Sequence, residues 1–470
     1  MRRLAPLLLL LACGPTVPVP ADESTGDPAA TTTAASTTSP ANPTTTAPAP
    51  TTTTAGPTAP PPDASSDPID STGDAACGPP CTNLWEHTGD LFIEPGKHAD
   101  DFACLRRVDG DLTIRELPDA DLLARLGNLE EVTGILTIEA NPGLTALPDL
   151  ACLRSVDRLI VQNNPALASL DALLGLRRTS SLYVANSPAL TQLPAFTLDP
   201  DNDLQFLTLS ELATLTDVDA LAGLRSKHIF LRIDDCPALT SLAGLGDLLR
   251  GANAVEVALL DLPALPDLVG LDGVPAFDVL VLVTLPQVVT LADLAGTQQI
   301  AYTLQIEDMA SLVDIHGLED ITETDGVTLF NLPVLADLSG LSGLTTVSSL
   351  RLNALPALPD LSGLSSLTQV GSQLELGWCD TIDTYGLDQI TDLTGLDSLE
   401  IAWNVVIANN DSLTSLAGAP KLKMVSELHA VHNPMLTEAT LTAWATSLDP
   451  DVLTCFDPEW GMCHCFAIDP

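Results

Sequence analysis

The chain has 470 residues, with 62 acidic side chains against 18 basic ones, 46% hydrophobic residues and 4% aromatic ones. A formal net charge of -44 argues against a nucleic-acid partner, because affinity for phosphate backbones comes from Lys and Arg. No apolar run reaches the roughly 18 residues needed to cross a bilayer as a helix.

Arg2 and Arg3 precede a short apolar run over residues 4–11, a positively charged start followed by a hydrophobic stretch too short to span. The run closes on Leu10-Leu11-Ala12-Cys13, a small residue before a cysteine. This tetrapeptide resembles the lipobox of bacterial lipoproteins. The resemblance implies a signal peptide over residues 1–12, cleavage before Cys13 and a diacylglycerol on its sulfur. The only membrane contact would then be the lipid anchor, with Gly14 after the cysteine favouring the outer membrane. Acyl chains contribute about 0.8 kcal/mol per buried methylene, so two or three would hold the protein firmly.

Residues 13–76 read as the lipidated cysteine followed by a disordered tether. Within 31–60 every residue except Asn42 and Gly56 is Thr, Ala, Pro or Ser. Such a stretch lacks the apolar mass to offset its ordering entropy. It spans roughly 45 Å as a coil, or up to about 200 Å as extended polyproline.

From Cys77 onward one phrase repeats. Gly89-Asp90-Leu91-Phe92-Ile93 returns as Gly110-Asp111-Leu112-Thr113-Ile114 and as Gly134-Ile135-Leu136-Thr137-Ile138. The apolar-x-apolar marker recurs at Leu159, Leu182, Leu207, Leu231, Val255, Leu280, Leu304, Val327, Leu350, Leu374, Val405 and Leu428. A period near 24 residues with Leu-x-Leu strands predicts a leucine-rich-repeat solenoid of about fifteen rungs over residues 77–436. The sheet should be parallel on one face. Irregular or 3₁₀ turns should return on the other, where Pro and Gly are dense. The wording L-x-I-x-x-N-P-x-L-x-x-L resembles the receptor L-domain branch of the leucine-rich-repeat superfamily. The ladder position departs from that branch: Asn141, Asn164 and Asn410 hold it, but Ser187, Leu212, Cys236, Leu285, Met309, Leu332, Leu355 and Cys379 intervene. An apolar ladder side chain cannot hydrogen-bond the turn, so the middle coils are expected to bend differently.

Residues 437–470 read as a helical, Cys-containing cap, with Leu441, Trp444, Ala445 and Leu448 at helical spacing over the last rung. Cys77 and Cys81 stand before the first rungs and Cys455, Cys463 and Cys465 after the last. In an exported protein, disulfides at the frayed ends are expected. Cys236 and Cys379 read as buried free thiols.

No phosphate loop, dinucleotide fingerprint, nucleophile elbow or His-Glu-x-x-His helix occurs, so catalysis is not expected. His429 and His432 with Cys463, His464 and Cys465 have the residue types for zinc, though disulfide capping also explains the cysteines. Asp267, Asp293, Asp314, Asp337 and Asp360 read as one column in successive rungs. They either cap the following turns or bridge Ca²⁺ between neighbouring carboxylates. Asp199-Pro200-Asp201-Asn202-Asp203 reads as an acidic turn. Residues 251–470 carry 30 acidic and 3 basic side chains, which would draw a basic partner or divalent ions there, or simply solvate the surface. On the open sheet face, Ile160, Tyr183, Phe206 and Phe230 with Arg232 read as an outward contact patch for a protein or glycan partner. The expected role is a surface-displayed recognition or adhesion module. The alternatives are a cation-binding structural envelope protein and a periplasmic scaffold.

Overall fold

The computed structural model describes residues 77–147, 150–378, 386–448 and, by its backbone, the strand Leu453–Asp457. Among the described residues eighteen strands join in one sheet, and every pairing in it is parallel. The chain is a leucine-rich-repeat solenoid. Leu91, Leu112, Leu136, Leu159, Leu182, Leu207 and Leu231 are successive register partners, as the period required. Val255 is the exception. It pairs with Ile229, and Val257 is the partner of Leu231 and Leu280. A two-residue offset keeps the same face inward, so the apolar pattern reads alike in either register.

The first rungs carry two strand segments each. Trp85–Thr88 pairs with Leu105–Asp109, while Leu91–Ile93 pairs with Leu112–Arg115, and both columns meet in Glu131–Glu139. The Gly-Asp dipeptides make the break between them. Gly89 sits at φ +94°, and Asp90 Oδ1 accepts the backbone N–H of Asp111 at 3.0 Å. Asp111 Oδ1 accepts from Ile135 at 2.8 Å in the next rung.

On the returning side, among the described residues, the chain makes eight short 3₁₀ turns and one helical turn, α1 (Gly246–Arg250). In the later rungs Ser-Gly-Leu fills these turns because the preceding coil presses against them. A Cβ on Gly340 would lie 1.9 Å from the carbonyl oxygen of Ile315, and one on Gly363 2.1 Å from that of Leu338. The leucines between strand and turn are almost all fully buried and form one continuous core. Each fully buried Leu contributes about 1.5–3 kcal/mol relative to exposure.

The turn after each strand explains why the ladder tolerates apolar residues. The residue before the ladder position is left-handed in rung after rung: Asn163 at φ 56°, Asp235 at 49°, Asp261 at 52°, Asn331 at 52°, Asn409 at 56°. Asn and Asp adopt this conformation at low cost. Its N–H reaches the next strand's end, as from Asp261 to Val283 O at 3.0 Å and Asn331 to Asn353 O at 3.1 Å. The apolar ladder residues then use backbone as well, Leu332 N–H donating to Ala354 O at 3.2 Å. Where the ladder is Asn, its side chain does the work: Leu117 N–H and Asn141 N–H donate to Asn141 Oδ1 and Asn164 Oδ1 at 3.0 and 3.1 Å. The expected conflict between an apolar ladder and the turn is thus resolved by main chain.

Cys77–Cys152 and Cys81–Cys104 are disulfides, with sequence separations of 75 and 23 residues. At the other end α2 (Glu438–Ser447) is capped by Thr437 Oγ1, which accepts Thr440 N–H at 3.1 Å. It buries Leu441 and Ala445, with Leu448 just beyond and Trp444 packed against the core. The sheet continues past this helix, since Leu453–Asp457 pairs with Glu427–Val431. Cys236 is a buried free thiol, and burial pushes its pKa up to about 11. Cys379 lies outside the described residues, as do Cys13, Cys463, His464 and Cys465. Among the described residues no helix is long and apolar enough to cross a membrane.

Candidate recognition surface

Strand residues flanking the inward leucines point to the open face of the sheet. The five residues read as one outward patch all lie on this face, but in two adjacent columns. Ile160 pairs with Tyr183, Tyr183 with Thr208, and Thr208 with Arg232. Phe206 pairs with Ser181 and Phe230, one alternate position earlier in the strand. The pattern of single residues hid this step, because both columns face outward. Phe206 is 47% exposed, and its ring lies 6.3 Å from that of Phe230 at a 48° tilt, while Ile160, Tyr183 and Phe230 are half-buried. Arg232 is fixed beside them: its Nε donates to Asp234 Oδ1 at 2.8 Å, and Ser210 Oγ holds the other carboxylate oxygen at 2.8 Å. Phe92, 44% exposed under the Arg115 guanidinium, continues the Ile160 column toward the first rungs.

The apolar surface also runs on toward the C-terminus, which the sequence reading missed. Ala258 follows Arg232 in its column and Val281 follows Ala258. Val279 and Val281 are only 6% exposed although they face outward. The signal was available: Val279-Leu280-Val281-Leu282-Val283 breaks the alternation expected of a half-buried strand. Glu256 and Asp278 border this zone. Burial raises the pKa of both, and for Glu256 the neighbouring Asp278 raises it further.

The aspartate column divides. Asp267, Asp314, Asp337 and Asp360 each accept the backbone N–H two residues on, at 3.2, 3.2, 2.7 and 2.8 Å, and so close the turn. Ser169, Asp217, Ser241 and Ser415 make the same bond at 3.0–3.3 Å. Asp293 does not belong to the column. It lies inside the 3₁₀ turn Ala292–Leu294 and accepts Leu268 N–H of the preceding coil at 2.9 Å. Thr290 takes the column position instead, donating to Asp314 Oδ1 at 2.7 Å. Val257, Leu280, Leu304, Val327 and Leu350 are register partners, and an equal count from each reaches Asp267, Thr290, Asp314, Asp337 and Asp360, so Asp293 lies three residues too late for the column. Asp149 lies outside the described residues. In the acidic turn, Arg178 holds Asp199 and Asp201 at 3.0 Å each and keeps the Asp201 carboxyl below its usual range. Among the described residues no group of three or more His, Cys, Asp or Glu side chains gathers in a metal-binding arrangement. His429 pairs in register with Cys455 and approaches Glu427 at 3.5 Å.

No protein-family model matches the chain, and no curated protein matches it. Seventeen chains of solved structures do. One is a TLR13 chain in complex with ssRNA13, 12% identical at a TM-score of 0.37, with 76% of this chain and 62% of that one covered. The chain therefore spans about 62% of the length of that TLR13 chain. Another is an internalin, InlF, from Listeria monocytogenes, 14% identical at a TM-score of 0.32, with 73% and 87% covered.

Proposed function

We propose that this protein is a non-catalytic recognition module that a lipidated Cys13 and a Thr/Pro-rich tether display on the outside of a cell envelope. The observation that carries the reading is Phe206, nearly half exposed against Phe230 on the open face of a rigid parallel sheet. Large aromatics in contact at a surface are typical anchors of protein interfaces. The two disulfides at the N-terminal end support an oxidising, exported location. The lipobox-like tetrapeptide Leu10-Leu11-Ala12-Cys13 supports lipid anchoring. The partner on this patch is a protein with an apolar surface and a positively charged rim, matching Asp234, Glu256 and Asp278 around the aromatic rings.

Two measurements on intact cells test this. External protease should release the repeat array by cutting the tether; protection until the outer membrane is opened would turn the array inward and favour a periplasmic scaffold. A photo-crosslinking amino acid at Tyr183 should yield a discrete protein adduct that Phe206→Asp removes. An absent adduct, or one indifferent to Phe206→Asp, would remove the patch from the proposal.

A further inference from the structure

A second group of residues on the open face lies well away in sequence from the aromatic patch. It spans the strands Thr346–Asn353, Gln369–Leu376 and Ile401–Ala408. Ser349, Gln373 and Asn404 form one row across these strands, and Arg351 pairs with Glu375 in the next. Arg351 is the sole arginine after Arg250 in a region otherwise nearly free of cations. Glu375 is 6% exposed. Its carboxylate accepts from Asn353 Nδ2 at 2.7 Å and Gln373 Nε2 at 2.6 Å, with the Arg351 Nε at 3.7 Å.

Four polar atoms of this group are buried without a hydrogen-bond partner: Ser349 Oγ, Arg351 Nε, Asn353 Oδ1 and Asn404 Oδ1. Elsewhere among the described residues such side-chain atoms occur only singly, at Asn202 and Thr324. Asn353 is 1% exposed, and its donation to Glu375 fixes the amide so that the carbonyl oxygen is the free end. A buried polar group without a partner is destabilising, so four within three adjacent strands form an unmet demand at one place.

We propose that this group is a binding site for a neutral glycan. The unpaired atoms comprise two carbonyl acceptors, one N–H donor and one hydroxyl. A sugar hydroxyl donates and accepts at once, so vicinal hydroxyls suit this mixed set once the exposed Arg351 side chain turns aside to uncover it. An anionic ligand would meet the Glu375 carboxylate. A cation would leave Arg351 opposed to it. Two exposed indoles stand close by in the chain, Trp403 directly before Asn404 and Trp378 three residues after Glu375. Indoles supply flat apolar faces next to polar groups, as a pyranose requires. A groove of about 440 Å³ adjoins the row at Ser348 and is lined by Gln299, Glu323, Thr346 and Gln369.

The test uses the full chain with maltohexaose, cellohexaose and chitohexaose as probes, read by saturation-transfer NMR and calorimetry. At least one should bind. Arg351→Ala and Asn404→Ala should each weaken it at least tenfold with the thermal midpoint retained, and Phe206→Asp should leave it unchanged. The Arg351 side chain is 43% exposed, so its variant keeps the test decisive should Asn404→Ala fold poorly. No response to any of the three probes overturns the site. So does binding that survives both substitutions, or a protein partner that occupies this face while no oligosaccharide does. Loss of the Tyr183 adduct with glycan binding intact would strike the aromatic patch alone.

Discussion

Asn433 Oδ1 accepts both the backbone N–H and the side-chain Nδ2 of Asn410, one rung earlier, at 3.1 Å each. Asn164 Oδ1 does the same for Asn141, at 3.1 and 2.9 Å. The two pairs stand near opposite ends of the array, and the ladder between them carries Ser187, Cys236 and a run of apolar residues. Solenoid ends lack a stacking neighbour on one side, and there the amide ladder adds directional bonds that packing alone does not supply.

Asn410→Ala therefore removes the acceptor of Leu387 N–H and the donor to Leu376 O as well as the link to Asn433. The expected loss is about 2–4 kcal/mol of stability, from several buried groups left unpaired. Ser187 makes one side-chain bond, to Ala185 O, so Ser187→Ala should cost about 1 kcal/mol or less. Urea denaturation of the two variants measures the difference, and equal losses would refute the ladder argument.

Cys236 is fully buried with its thiol near Asp234 O at 3.4 Å, and its pKa is raised to about 11. At pH 8 about 0.1% of it would be thiolate even with free access. Iodoacetamide on the native protein should leave the Cys236 peptide unmodified by mass spectrometry, and full labelling should appear only in denaturant. Labelling of the native protein within minutes would show that the middle rungs open.

Burial pushes the Glu307 carboxyl above its ordinary value of 4.5; Gln305 partly offsets this and Asp308 adds to it. A carboxyl raised on folding contributes stability that is fully present below 4.5 and is lost as pH rises through the folded value. Glu307→Gln should thus be more stable than the wild type at pH 7 and lose that advantage at pH 4. Asp272 works in the opposite sense, since Gly270 N–H and Arg250 hold its carboxyl below 3.8. Asp272→Asn should destabilise at pH 7 and cease to matter as pH falls through the folded value. Denaturation midpoints of both variants from pH 7 down to about pH 2 report the two slopes, Glu307→Gln above 4.5 and Asp272→Asn below 3.8, and a shared sign would contradict the burial argument.

Four of the five aspartates first grouped as a calcium column spend an oxygen on their own turn, and Asp293 sits in another part of the coil. Adding millimolar CaCl₂, or EDTA, should leave the melting temperature unchanged. Asp337→Ala should lower stability by about 0.5–2 kcal/mol with or without calcium, the cost of a lost turn cap. A calcium-dependent rise in melting temperature that Asp337→Ala abolishes would restore the cation reading.

The repeat period, the parallel sheet, the inward leucines, the Asn ladder at Asn141, Asn164 and Asn410 and the helical cap were all legible in the sequence. Burial in a solenoid is dictated by local spacing, and each leucine answers to its own rung. Three things were decided only in the folded chain. Which cysteine meets which depended on rungs stacking, so Cys104 and Cys152 gave no sign of their partners. The split of the aromatic patch into two columns depended on register, because a two-residue offset leaves the inside–outside pattern intact. The cluster of unpartnered atoms on Ser349, Arg351, Asn353 and Asn404 depended on side chains from three strands, with register partners 24 and 31 residues apart, meeting on one face. Periodicity fixes the side of the sheet a residue faces, but only strand pairing sets its neighbours, and with them the chemistry of the open face.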